Sequence, residues 1–184
     1  MYLRKEEYRI HNKNNSRKLN IVFDTSAFLA KYHLQLPRYI VKIYTVPRVV
    51  DEVRDQENKE ALELGIETKM IEVIEPREDF RRKTIIKARK IGEHVSLSKT
   101  DIDVAALSLQ LKTIHDKVIV FTDDYSLQNL LYHMGIPFKP LRTKGIRKAR
   151  KYRVYCPVCG YVPADPSEDT CPICGSKLVK KHMK

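Results

Sequence analysis

Short unbroken apolar runs alternate along the chain with longer amphipathic stretches. Asn20-Ile21-Val22-Phe23 stops at Asp24, and Val118 to Thr122 stops at Asp123. Each run is too short for a helix and reads as a buried strand. Ile43 to Val46, Met70 to Ile74 and Ile136 to Lys139 read as three further strands. Thr25 to Tyr32 suits a helix capped by Asp24 or Thr25. Pro47 suits the first turn of a helix running through Val50, Val53 and Arg54. Residues 58–68 and 78–91 read as surface helices. Ser98-Lys99-Thr100-Asp101 opens another helix, with Ile102, Ala105, Ala106 and Leu109 as its expected buried stripe. A last helix, Tyr125 to Met134, ends at Gly135. Strands separated by helices predict an α/β fold: a central parallel sheet flanked by helices on both faces.

The flanks follow a different pattern. Residues 1–18 form a basic polar leader that includes Asn12, Lys13, Asn14, Asn15 and Ser16. Its lack of an apolar core argues against a secretory signal. No apolar run is long enough to cross a bilayer, so a cytoplasmic protein is expected. The strand–helix body spans 19–141, a basic linker 142–154, a cysteine-bearing module 155–180 and a short tail 181–184. The 184 residues, 42% of them apolar, leave room for one ordinary domain and a small appendage.

Charge sharpens this division. The formal net charge is +12, yet the body is neutral, and residues 142–154 contain seven Lys/Arg and no acid. A neutral body with basic flanks suggests a polyanion grip beside something that is not itself a grip. Arg142, Lys144, Arg147, Lys148, Arg150 and Lys151 are therefore candidate RNA contacts, giving salt-dependent and largely sequence-blind affinity. Tyr152, Arg153 and Lys177 extend that set around the cysteine module, where stacking and phosphate contacts suit single-stranded or looped RNA.

The four cysteines occur as Cys156-x₂-Cys159-x₁₁-Cys171-x₂-Cys174. Paired knuckles in a chain without a secretory signal favour metal binding over disulfides. Four thiolates satisfy tetrahedral Zn²⁺ and leave no open position, so one structural zinc is expected in a small β-rich ribbon. Iron is the rival, but a redox role would need an electron partner and nothing in the sequence suggests one. A segment of about 30 residues buries too little apolar surface to fold alone, so the metal would supply much of its folding energy.

The body's candidate chemistry lies in its acids. Asp24 and Asp123 follow strands, Glu52 lies in the helix after the second strand, and Asp101 opens the helix before the Val118 strand. The carboxyl ends of parallel strands form the natural ligand crevice. Carboxylates gathered there would repel one another unless compensated by a cation such as Mg²⁺ or Mn²⁺. Such a cluster suits metal-assisted phosphodiester hydrolysis. Taken singly, Asp24 and Asp101 also fit helix caps, Glu52 a solvated face, and Asp123-Asp124 a turn. Asp103 is a secondary candidate, because two residues beyond Asp101 a helical side chain points elsewhere. Asp124 is an alternative or helper to Asp123. Thr25, Ser26 and Thr122 are candidates for orienting water or phosphate, though Thr25 is better explained as a local cap.

Val22-Phe23-Asp24-Thr25-Ser26, Val50-Asp51-Glu52-Val53, Leu97-Ser98-Lys99-Thr100-Asp101-Ile102 and Val120-Phe121-Thr122-Asp123-Asp124 resemble, in order, the motifs of PIN-domain nucleases. With the four-Cys ribbon and basic segments, the chain looks more specifically like the NOB-type ribosome-biogenesis endonucleases. That resemblance implies a Mn²⁺- or Mg²⁺-dependent endoribonuclease that matures the 3′ end of precursor small-subunit rRNA within the pre-small ribosomal subunit. By motif it assigns Asp24, Glu52, Asp101 and Asp123 as the four catalytic acids. No membrane partner is implied, and two copies pairing around RNA is compatible with the sequence. The competing readings are a toxin-like PIN ribonuclease acting on tRNA or mRNA, and a non-catalytic RNA-binding assembly factor.

Overall fold

A computed structural model describes residues 18–164 and 168–183. Nearly all of the basic leader, and Lys184 of the tail, lie outside the described residues. Strands β1 (Leu19–Phe23), β2 (Val41–Thr45), β3 (Ile71–Val73), β4 (Val118–Phe121) and β5 (Phe138–Lys139) form one sheet in the order β3-β2-β1-β4-β5. Every pairing is parallel, with Val22 opposite Tyr44 on one side and Val120 on the other. The chain runs outward from β1 to β3 and then returns to the far side of β1 at β4. The switch point therefore lies between the carboxyl ends of β1 and β4, where α/β sheets open a crevice. These two strands are almost wholly apolar because helices cover both faces of the sheet. Phe23 stacks on Phe121 at 5.5 Å between ring centroids and meets the edge of Phe28 at 5.2 Å.

Among the described residues, six α-helices connect and cover the strands: α1 (Thr25–Leu29), α2 (Pro47–Glu52), α3 (Gln56–Glu67), α4 (Glu78–Lys90), α5 (Lys99–Lys112) and α6 (Tyr125–His133). The first is shorter than the sequence predicts. Lys31 adopts a left-handed φ of 51°, which ends the α-helical path, and the chain resumes as a 3₁₀ turn over Tyr32–Gln35. The stripe expected on α5 is also too narrow. Thr100, Asp103, Val104, Leu107, Ser108 and Leu111 are buried alongside Ala105 and Ala106, whereas Ile102 and Leu109 are only partly covered. The helix touches α2, α4, α6, β1 and β4, so it has no single core-facing stripe.

The cysteine module is held by an antiparallel pair, β6 (Tyr152–Tyr155) and β7 (Val179–His182), with Tyr152 opposite His182. Strand β6 begins inside the segment read as linker. Its Tyr152 N–H donates to the Ile91 carbonyl at 2.9 Å. Gly92 permits this approach: its φ is +73°, and a Cβ there would lie 2.2 Å from the Tyr152 carbonyl oxygen. Val154, Cys156, Cys171 and Leu178 form a small core of their own, against which Val95 of the body packs. Among the described residues, no helix is long and apolar enough to cross a membrane.

Candidate functional site

Asp24 leaves the end of β1 and caps α1, its carboxylate accepting the Thr25 N–H at 2.6 Å. Only 7% of the residue is exposed. The Thr122 hydroxyl donates to Asp24 at 2.7 Å and accepts the Asp124 N–H at 3.1 Å. The Ser26 hydroxyl donates to Asp24 at 3.3 Å and accepts the Asp123 N–H at 3.1 Å. Two hydroxyls thus tie the ends of β1 and β4 into one polar cradle.

Glu52, at the last position of α2, receives the Thr25 hydroxyl at 2.5 Å and the Thr100 hydroxyl at 2.6 Å. Thr25 adjoins Asp24 and Thr100 adjoins Asp101, so these bonds place Glu52 between the two aspartates. Asp101 is the third helical residue of α5 and forms a reciprocal capping box with Ser98, at 2.7 and 3.1 Å.

The electrostatics show that the acids converge. Burial pushes the Asp24 carboxyl above its ordinary range against the hydrogen bonds it accepts, and the Asp124 charge pushes it further. Burial likewise raises Asp101 to about 6, with added repulsion from Asp124 and Asp24 opposing the bonds from Ser98. Neighbouring charge thus makes Asp24 and Asp101 harder to ionise, and a cation beside them would relieve that repulsion. Among the described residues the one group whose ligand atoms already close on a common point is the cysteine set, not the acids. Mg²⁺ and Mn²⁺ are the cations such oxygens favour, because they bind through a few carboxylates and retain several waters.

Two of the predicted acids face elsewhere. Asp123 turns toward the linker, where its carboxylate accepts the N–H groups of Leu141, Arg142 and Thr143 at 2.8, 2.9 and 3.1 Å. The Thr143 hydroxyl and the Arg142 guanidinium complete the set. Burial opposes ionisation, but these donors outweigh it and hold Asp123 at about 2. These bonds make Asp123 the anchor for the start of the linker. Asp124 caps α6 through the Leu127 N–H at 2.7 Å and is the neighbour whose charge acts on both Asp24 and Asp101. Asp103, the other secondary candidate, is buried between Arg48 and Arg81, at 2.9 and 2.6 Å. Two guanidiniums already neutralise it, so it fastens α5 to α2 and α4.

The polar residues that seat the linker on the body were absent from the sequence reading. Buried Gln128 donates to the Thr122 carbonyl and accepts the Ile146 N–H, both at 2.9 Å. Buried Asn129 binds both backbone groups of Arg150 and the carboxylate of Glu93. Glu93, only 1% exposed, also pairs with Lys180 of β7. Polar side chains interrupting the apolar face of α6 were the one available signal. Of the candidate RNA contacts, Arg142 is spent on Asp123. Lys144, Arg147, Lys148, Arg150, Lys151, Arg153 and Lys177 are exposed, and Tyr152 is partly covered by Lys180 and His182.

The four cysteines are unpaired by disulfides, and their ligand atoms all lie within 4.8 Å of one another. Cys156–Cys174 and Cys159–Cys171 sulfurs are 3.5 Å apart, and Cys159–Cys174 sulfurs 3.8 Å. A tetrahedron with zinc–sulfur bonds of about 2.3 Å has edges of about 3.8 Å, so the cage fits that ion. Gly160 and Gly175 donate their N–H groups to the Cys156 and Cys171 carbonyls and close the two knuckles.

A parallel sheet with acids gathered at its switch point defines a PIN-domain nuclease, and the family described as "PIN domain of ribonuclease" matches residues 21–111. Similarity extends well beyond that domain. The chain is 35% identical over 170 residues to "Endoribonuclease Nob1" of Pyrococcus abyssi, covering 91% of this chain and 98% of that one. It belongs to the Nob1 endoribonuclease family. "Ribonuclease VapC3" of Aeropyrum pernix is 38% identical over 125 residues, covering 68% of this chain and 88% of the relative. "20S-pre-rRNA D-site endonuclease nob1" of Schizosaccharomyces pombe is 32% identical over 93 residues, covering half of this chain and 23% of that protein.

Proposed function

We propose that this protein hydrolyses one phosphodiester bond of precursor small-subunit rRNA, in the cytoplasm and on the pre-small ribosomal subunit, and so forms the mature 3′ end. The observation that carries this reading is the set of hydroxyl bonds gathering acids from separate parts of the chain: Thr122 bonds both the Asp24 carboxylate and the Asp124 N–H, and Thr25 and Thr100 hold Glu52 beside Asp24 and Asp101. Together these four acids would hold Mn²⁺ or Mg²⁺. When bound, the ion supplies positive charge that activates an attacking water and offsets charge on the reacting phosphate oxygens.

The protein's own groups have separable parts. Thr25 and Thr100 orient Glu52, and Thr122 and Ser26 orient Asp24. Asp123 fixes the start of the linker beside the ring, so the basic segment delivers RNA at a defined distance from the acids. In this assignment body 19–141 cuts, linker 142–154 grips, and ribbon 155–180 holds one structural Zn²⁺ and adds contacts.

The test is to map cleavage ends on precursor small-subunit RNA with added Mn²⁺, comparing the natural chain with Asp24→Asn. A unique cut at the mature 3′ boundary, lost in Asp24→Asn while RNA affinity stays within about twofold, is expected. Preferred cutting of tRNA or mRNA would move the protein to the toxin-like class. Undiminished cleavage by Asp24→Asn would overturn the assignment of the acids.

A further inference from the structure

One residue beyond Asp124 the surface opens into a cavity of about 650 Å³ between the start of α6, the linker and β6–β7. Tyr125 and Ser126 form one side, Gly145, Ile146 and Arg147 another, and Tyr152 the third. Glu93, Asn129 and Lys180 close its floor, and much of the exposed lining is carbon from the two tyrosine rings, Ile146 and the stems of the basic side chains. Lys144, Arg147, Lys148 and Arg150 stand around the mouth, and among the described residues none is paired with a carboxylate. Their charge is uncommitted.

The cavity is also preformed. Gln128 fixes the main chain at Ile146, Asn129 fixes it at Arg150, and Lys180 is tied to Glu93 and Ser126. Little ordering cost would remain for a ligand to meet. Tyr125, by contrast, is 53% exposed, and no ring or cation packs on it among the described residues. A hollow of this size with one bare aromatic face and a cationic mouth is far too large for a lone phosphate. It matches a planar base on a charged backbone.

We propose that this cavity is a subsite for one unpaired nucleotide of the RNA strand, with its base stacked on Tyr125 and its phosphates facing Arg147 and Lys148. The proposal rests on the RNA-cleaving reading above for the polymer itself. Asp124 and Tyr125 are consecutive, so their Cα atoms lie about 3.8 Å apart and the occupant would flank the scissile phosphate. Drawing that base out of its stack would hold the strand taut across the acids and favour unpaired substrate. An acidic protein segment would satisfy the cationic mouth but would leave the aromatic face without a partner.

The test uses the full chain carrying Asp24→Asn, measuring equilibrium binding so that its outcome does not depend on cleavage. The probes are a fluorescein-labelled single-stranded RNA of roughly a dozen nucleotides and the same strand with abasic residues. Tyr125→Ala is expected to weaken the base-bearing strand about tenfold, leave the abasic strand unchanged and keep the salt dependence intact. Tyr125→Phe is expected to bind as the parent does. Arg147→Ala is expected to lower the slope of log affinity against log salt by about 0.7 on both strands. Equal effects of Tyr125→Ala on the two strands, or none on either, would overturn the subsite. So would loss of binding in Tyr125→Phe, or polyglutamate displacing RNA as effectively as RNA itself. Loss of cleavage specificity with these binding results intact would count against the reaction assigned above and leave the subsite standing.

Discussion

The acid ring and the cysteine cage both gather anionic donors, yet they are built in opposite ways. The cysteines lie within 19 residues of one another, and their atoms close to within 4.8 Å. Two local turns suffice to bring them together. The acids lie 100 residues apart from Asp24 to Asp124, and a whole sheet is needed to collect them. They are set by hydroxyls rather than by knuckles. A cage whose ion does the folding is narrow and complete. A reaction site must stay open, and here the fold meets the cost of crowded charge.

The sharpest break between the two is metal removal. Chelation, or Cys171→Ser, is expected to unfold the ribbon, because zinc binding to such modules is worth about 10–16 kcal/mol. Strands β1–β5 are expected to remain intact. Amide NMR spectra and zinc release of one equivalent per chain would check this, and simultaneous loss of body resonances would contradict the division.

Next in size is the choice between neighbours. Asp124→Asn keeps a good helix cap but removes a charge from the ring, so cleavage is expected to fall on the order of 10²–10³-fold at unchanged stability. Asp123→Ala is expected to cost about 2 kcal/mol and to loosen the linker, weakening RNA binding more than turnover. Kinetics on saturating and limiting RNA, with thermal midpoints, would separate the two variants.

The smallest effect expected is on pH. Asp101 ionises near 6 in the folded chain, above its ordinary value, so it is protonated below that point and cannot serve as a ligand. Its charged form destabilises the metal-free fold, a penalty absent at low pH that becomes complete as pH rises through about 6. Mn²⁺ affinity should therefore climb between roughly pH 5 and 7, with proton release on binding near pH 6. Calorimetry in buffers of different ionisation enthalpy would detect the proton, and Asp101→Asn should lower its number, leaving the share released by Asp24.

The same contrast explains what the sequence disclosed. The cage was legible from spacing alone, because its geometry is local. Strands β1 and β4 were legible as buried apolar runs ending in acids, which also located the crevice. Adjacent Asp123 and Asp124 could not be separated, since their roles depend on where Leu141 to Thr143 return in space. The wide burial of α5 was hidden because helices from both ends of the body enclose it. Glu93, Gln128 and Asn129 belong to no motif in the sequence, and only the docked linker and ribbon give their polar groups a purpose.

The meeting of Gly92 with Tyr152 has a consequence for engineering. Main chain touches main chain there, so drift among surface side chains leaves the bearing of the ribbon unchanged. Chimaeras that exchange ribbons between relatives should keep their aim wherever this position lacks a side chain, whereas a single added methyl group would tilt the whole appendage off course.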